Sequence, residues 1–232
     1  MKHALAWLVF PTILFATTAP QPAASYEVTP TRGDRDFMFS FRQSAALAFA
    51  PPQENTLSEW QKLPFTWKFF GQDVTGYFIS DNGFITFDST AKASPAANTT
   101  LPSAAAPKNS IFALWTDLRM EAGHGQWVGS VYTGTMGAAP NRLHIIYWMS
   151  LIPAGGAFQT SAVNFVLALH ESGEAEVIYT SGRKGTPVKA TVGLLNADGR
   201  VGVLAAGPAM DFPAVGFGGE DDQGFKFKPV VK

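Results

Sequence analysis

The stretch Val163-Asn164-Phe165-Val166-Leu167-Ala168-Leu169-His170, followed by Glu171-Ser172-Gly173-Glu174 and then Ala175-Glu176-Val177-Ile178-Tyr179, decides the fold. Val163, Phe165, Leu167 and Leu169 alternate with Asn164, Val166, Ala168 and His170. After the tight polar connection, Ala175, Val177 and Tyr179 alternate with Glu174, Glu176 and Ile178. Side chains of a strand point to opposite faces with a period of two, so two such runs across a Gly-containing turn predict a β-hairpin. Phe165, Leu167, Val177 and Tyr179 are expected on its buried face.

Upstream, Leu143 to Met149 reads as a further strand. Leu143, Ile145, Tyr147 and Met149 share one face and His144, Ile146 and Trp148 the other. Both faces are largely apolar, which marks a central strand; Leu143, Ile145 and Tyr147 are taken as the core side. Pro153 to Gly156 breaks this run, and Gly134 to Asn141 before it reads as a turn-rich passage. Leu63 to Phe69 places Phe65 and Trp67 on one side and Thr66 and Lys68 on the other. Val74 to Ser80 returns, Asp81-Asn82-Gly83 turns, and Phe84 to Phe87 continues. Ile111 to Trp115, Trp127 to Thr133, Lys189 to Leu195, Val201 to Ala205 and Phe225 to Val231 are further strands, with weaker candidates at Phe37–Phe41, Ala45–Ala50 and near Val215. Leu57 to Leu63 suits one helical turn. Residues 88–110, poor in large side chains, read as a long surface loop. Many short strands with Gly, Asn and Pro punctuation predict an all-β, two-sheet, mostly antiparallel sandwich. Its expected core also takes Ile85, Phe87, Val192 and Leu194.

The N-terminus predicts export. Lys2 and His3 precede a small-and-apolar run from Ala4 to Ala16, followed by Thr, Ala and Pro residues up to Ala24. This is the build of a signal peptide over 1–24, with cleavage after Ala23 or Ala24; the run is shorter than the roughly 20 residues a bilayer-spanning helix needs. An uncleaved anchor is the competing reading. Residues 25–232 then form a single domain, exported to the periplasm, the cell surface or beyond. The chain has no cysteine, which removes disulfides, thiol nucleophiles and Cys-ligated metals. The formal charge of −1 comes with no basic stripe, which argues against nucleic acid as a partner.

Several motifs follow one another in order. They are Leu63-Pro64-Phe65-Thr66-Trp67, Phe69-Phe70-Gly71 and Ser80-Asp81-Asn82-Gly83-Phe84-Ile85-Thr86-Phe87. Pro107 to Leu118 approaches a Trp115-Thr116-Asp117-Leu118 strand end, and Ala139-Pro140-Asn141-Arg142 turns into the aromatic strand. The Gly-Glu hairpin ending at Tyr179 and Thr191 to Gly199 complete the series. Over about residues 60–200 the chain resembles the nidogen-like extracellular β-sandwich domains of bacterial secreted and surface proteins. Thr116 stands where that pattern carries an aspartate. The resemblance implies adhesion or matrix contact and no reaction.

No catalytic or cofactor-binding residue is assigned, and the metal ligands, if any, are unknown. His124, His144 and His170 have no zinc-protease spacing. His144 and His170 read as structural histidines, and His170 beside Glu171 and Glu174 is a candidate proton or metal site. Ser130 lacks the Gly-x-Ser-x-Gly frame, and Ser161 is not on a strand-to-helix elbow. Glu174 and Glu176, on one strand face, read as a solvated pair rather than a glycosidase dyad. Asp81, Asn82, Asp117, Glu220, Asp221 and Asp222 are candidate oxygens for a structural calcium; solvated turns are the simpler account. Asp117 has a second reading, as a strand-end carboxylate that accepts backbone N–H bonds and locks the next loop. Arg32-Gly33-Asp34 is read as a simple turn.

The leading expectation is a non-catalytic domain that contacts protein or glycan through the loops at 88–110, 119–126 and 153–160. The alternatives are a structural subunit of an envelope or secreted assembly, and a hydrolase whose site forms only in three dimensions.

Overall fold

The computed structural model describes residues 25–32, 41, 45–50, 53–121, 129–182, 188–208, 211–212 and 223–230. The expected signal peptide, His124, the acidic run at 220–222 and the candidate strand near Val215 lie outside them, as does the Phe37–Phe41 candidate apart from Phe41.

Strands account for most of the described chain. In order they are β1 (Ser25–Arg32), β2 (Ala46–Phe49), β3 (Gln53–Glu54), β4 (Gln61–Phe69), β5 (Gln72–Ile79) and β6 (Phe84–Thr86). Next come β7 (Ser110–Trp115), β8 (Leu118–Met120), β9 (Ser130–Met136) and β10 (Leu143–Pro153). One helical turn, α1 (Phe158–Ser161), leads into β11 (Val163–His170) and β12 (Ala175–Gly182). The last are β13 (Val188–Lys189), β14 (Thr191–Leu195), β15 (Gly202–Ala206), β16 (Asp211–Phe212) and β17 (Gln223–Val230).

The strands form two large antiparallel sheets. The first runs β1-β17-β12-β11-β10, continues through β9 to β2, and uses the far end of β10 to pair with β8 and then β3. The second runs β15-β14-β7-β6-β5-β4. Their facing sides share one core, which includes Phe65, Trp67, Phe69, Tyr77, Ile85, Ile111, Ile146, Trp148, Phe165, Leu167, Val177, Val192, Leu194 and Phe227. The fold is an all-β sandwich of two antiparallel sheets.

The clean alternation of β4 is observed: Leu63, Phe65, Trp67 and Phe69 are buried and their neighbours exposed or half-buried. The central strand β10 corrects the face assignment. Ile146 and Trp148 point into the inter-sheet core, whereas Ile145 and Tyr147 pack on the outer side with Phe41, Val166 and Ile178. Register dictates this. Trp148 is opposite Phe165 and Ile146 opposite Leu167, so the inward face of β11 fixes that of β10. Sequence alternation alone had no polar side to choose.

Other local expectations change as well. The helical turn at Leu57–Leu63 is absent: Leu57 bridges Ser80 and β4 begins at Gln61. The Ser58 amide bonds the Ile79 carbonyl at 2.8 Å, which holds this segment extended. The passage at Gly134–Asn141 begins as strand, because β9 stays paired with β10 as far as Met136. Arg119 and Met120, expected in a loop, form β8. β10 itself kinks at Ser150, where φ is +58° and the register shifts, and this re-aims it toward β8.

Of the loop expected over 88–110, Ser110 opens β7 and residues 88–109 carry no strand, yet they are more than a surface loop. Leu101 and Ala106 pack with Phe84, Phe112, Trp115 and Leu195 on the outer side of the second sheet. Trp115 donates its indole N–H to the Pro95 carbonyl at 2.8 Å, and Thr191 donates its hydroxyl to the Thr99 carbonyl at 2.7 Å. Covered on both sides, β7 buries all six of its residues.

Candidate functional site

The polar groups singled out by sequence fall into three places. The first is the turn between β5 and β6. Asp81 and Asn82 are both fully buried, which corrects their reading as solvated turn residues. Gly83 supplies the φ of +78° the turn needs, and its carbonyl accepts the amides of Ala113 and Leu114. A Cβ there would lie 2.2 Å from the Leu114 carbonyl oxygen, so glycine is obligatory.

Asn82 uses both ends of its amide. Its Nδ2 donates to Asn55 Oδ1 at 2.9 Å and to the Ser94 carbonyl at 3.0 Å; its Oδ1 accepts the Leu118 amide at 2.9 Å. The loop-locking role expected of the Asp117 carboxylate is therefore carried by Asn82, while Asp117 accepts the Ala154 amide through its backbone carbonyl at 2.9 Å. Asp81 Oδ1 accepts the Thr56 amide at 3.0 Å and the Ser94 hydroxyl at 2.8 Å. Its Oδ2 is buried without a partner. Burial pushes the Asp81 carboxyl up to about 6, against the opposing pull of these hydrogen bonds. Four separate segments meet at this knot: 55–56, 80–83, Ser94 and Leu118.

The second place lies between the sheets. His144 is buried, with Nε2 2.6 Å from the Tyr77 hydroxyl and Nδ1 3.0 Å from the Thr135 hydroxyl. Burial pushes its imidazole down to about 4 and holds it neutral; burial pushes the Tyr77 phenol upward. Other aromatic tips also cross between the sheets. Trp67 donates to the His170 carbonyl at 2.9 Å, Trp148 to the Ser80 carbonyl at 2.9 Å, and Tyr179 to the Ala113 carbonyl at 2.8 Å. Buried indoles and phenols need such partners, and here the partners lie on the opposite sheet or on the turn that closes it.

The third place is the outer side of the first sheet. Glu176 accepts the Thr31 hydroxyl at 2.7 Å and lies 3.4 Å from His170 Nε2 and 3.8 Å from Lys226. Its pKa is lowered: desolvation, the largest single influence, opposes the shift and is outweighed by His170, Thr31 and Lys226 together. Glu174 pairs with Lys226 at 3.9 Å and Lys228 at 3.6 Å. The two carboxylates thus form a cross-strand charge ladder rather than a dyad facing a cleft. Glu171 turns away to Arg142, which it binds through Nε at 2.9 Å, through Nη2, and at its backbone amide at 3.0 Å. Arg142 also donates Nη1 to the Pro64 carbonyl at 2.8 Å and covers the Phe65 ring at 5.2 Å.

His144, His170 and Glu171 are therefore spread over these places. Ser161, in α1, and Ser130, in β9, are buried and join none of them. Among the described residues, no three His, Asp or Glu side chains gather as metal ligands. No helix among them is long and apolar enough to cross a membrane.

A family model described as NIDO related matches residues 43–215, well over half of the chain. The chain belongs to the NIDO-related family. No curated protein and no solved structure is significantly similar to it. The NIDO-related region takes in β2 through β16 and with them the whole second sheet, the Asp81–Gly83 knot and the His144–Tyr77 bridge. Strands β1 and β17 lie outside it and extend the first sheet by one antiparallel pair. The sequence signal for the knot was the Asp-Asn-Gly turn, read there as turn geometry and as candidate calcium oxygens; nothing in the sequence pointed to the Tyr77 and Arg142 partnerships.

Proposed function

We propose that this NIDO-related chain is an exported, non-catalytic binding domain that contacts protein or glycan at or outside the cell surface. The observation that carries the reading is the use of its ionisable groups. Buried His144 and Asp81 bind scaffold partners, and Glu171, Glu174 and Glu176 bind arginine, lysine or threonine side chains of neighbouring strands. Recognition then falls to the loop surfaces on this rigid frame, chiefly the exposed residues of 88–108 and 154–160. Residues 1–24 would act as the export signal and 25–232 as one domain; N-terminal sequencing of the secreted protein checks the cleavage after Ala23 or Ala24.

Binding arrays of surface glycans and matrix proteins, probed with folded protein, test the reading. A reproducible ligand supports it; repeated arrays without one overturn it.

A second reading, a subunit of an envelope or secreted assembly, draws on two exposed side chains. Leu47 on β2 and Leu204 on β15 are 56% and 39% exposed, and each sits on an edge strand of its sheet. Edge strands with apolar side chains are natural docking points for another chain. Cross-linking in cells that returns one stoichiometric protein neighbour favours this reading.

A further inference from the structure

We propose that β15 is a self-pairing edge: two copies of this chain join antiparallel through Gly202–Leu204 and run their second sheets into one. The inference rests on the subunit reading and deepens it, by naming the strand and its occupant.

Val201 to Pro208 is a run of eight residues without a charged or polar side chain, and all of them but Ala206 are exposed or half-buried. Among the described residues, no strand lies beyond β15 in the second sheet. The hairpin with β14 fixes which backbone groups are left over. The Asn196 amide bonds the Val201 carbonyl at 3.0 Å, and Leu194 stands opposite Val203. Alternate residues of an antiparallel strand turn their N–H and C=O to opposite edges. Val201 and Val203 therefore face β14, and Gly202 and Leu204 face away from it. The register shift comes after Leu204, so this stretch stays regular.

The other edges of the two sheets are guarded. β1 carries exposed Glu27, Pro30 and Arg32. β4 carries exposed Lys62, Pro64 and Lys68, and its Pro64 and Lys68 carbonyls are taken by Arg142 and Tyr26. β3 is two residues long; β2 is four, shifts register between Leu47 and Phe49, and runs on to Pro51 and Pro52. Charges, prolines, bulges and short length are the devices that keep sheet edges apart. β15 has neither charge nor proline, so within this chain the edge that matches it best is β15 itself. An edge that meets its own copy closes as a two-fold dimer and does not propagate.

The side chains fit the same pairing. Centred on Val203, it sets Gly202 of each copy opposite Leu204 of the other and gives all their outward N–H and C=O groups partners. Gly202 and Leu204 share the outer face of the sheet. A Cβ on Gly202 would lie 3.1 Å from Pro102 and 3.3 Å from Leu101, which cover that face. Leu204, 39% exposed, then packs on the exposed Pro102 of the second copy and leaves water. The contact is small beside the roughly 800 Å² per partner of a standard interface, so association needs high concentration.

Sedimentation equilibrium from about 1 µM to about 1 mM protein tests the pairing. The wild type should rise from monomer to dimer mass, with a dissociation constant on the order of 100 µM, and stop there. Leu204→Lys, which puts a charge on the edge, should weaken association by about tenfold or more. Leu47→Lys, on β2, should dimerise as the wild type does; thermal melts confirm that both variants are folded. Amide exchange gives a second readout. The Gly202 and Leu204 amides should slow as concentration rises, and the Val203 amide, already turned to β14, should not. A wild type that stays monomeric at the highest concentration overturns the inference, as do equal dimerisation by Leu204→Lys and growth beyond the dimer. If cross-linking in cells returns a different protein while the purified chain stays monomeric, this inference falls and the subunit reading stands. If neither experiment yields a neighbour, both fall.

Discussion

The Tyr77 hydroxyl lies 2.6 Å from His144 Nε2, joining β5 of one sheet to β10 of the other through a buried, neutral imidazole. That bond is one of several in which an aromatic side chain fills the core with its ring and ties the facing sheet with its polar tip.

His144 and Asp81 should oppose one another in acid. The His144 imidazole falls from 6.5 to about 4 on folding, so its contribution is complete above pH 6.5 and is lost as pH drops through that window. The Asp81 carboxyl rises from 3.8 to about 6, so its contribution is complete below pH 3.8 and is lost as pH climbs through 6. Between pH 4 and 6 the two slopes, each about 1.4 kcal/mol per pH unit, nearly cancel. Asp81→Asn, which removes one of them, should lose about 2–3 kcal/mol more than wild type between pH 6 and 4. His144→Gln should shift the other way. Urea unfolding at four pH values reads this out, and superimposable curves for the three proteins would refute it.

Asn82→Ala should cost about 2–4 kcal/mol, because it leaves the Leu118 amide and the Ser94 carbonyl buried without their partner. Gly83→Ala should cost at least as much by a different route, since its Cβ meets the Leu114 carbonyl and its φ is positive. Denaturant midpoints would measure both. A loss below about 1 kcal/mol for either would show that the turn rearranges freely.

Arg142 and Glu171 clasp the β11–β12 turn to β4. The arginine holds the Glu171 carboxyl down at about 2, mainly through their side-chain hydrogen bond. Its contribution is present above the ordinary carboxylate value and disappears as pH falls toward 2. In Arg142→Ala the Glu171 titration, followed by NMR, should return to the ordinary range. An unchanged titration would mean that the pair is not formed in solution.

Trp148→Phe keeps the stack on Phe165, whose ring lies 5.0 Å away, but removes the donor to the Ser80 carbonyl. The expected cost is about 1–3 kcal/mol, for a buried carbonyl left unpaired. Equal stability in a denaturant melt would show that water replaces the indole.

The hairpin of β11 and β12 was legible in sequence because each strand shows one apolar and one mixed side; β4 was legible for the same reason. β10 was not, since Tyr147 and Trp148 are equally apolar and only the pairing with Phe165 chooses between them. The loop at 88–109 reads as small and polar, and its burial depends on Leu101 and Ala106 meeting rings from β6 and β7. Asn82 looked like turn chemistry or a calcium oxygen, because the Leu118 amide it accepts is distant in sequence.

β1 and β17 pair along their full length, with Ser25 opposite Val230 and Arg32 opposite Gln223. Tension applied at Ser25 and Val230 would load this ladder one rung at a time from its open end, not all rungs together in shear. The outermost strand would peel at low force, while the NIDO-related body behind it kept its shape.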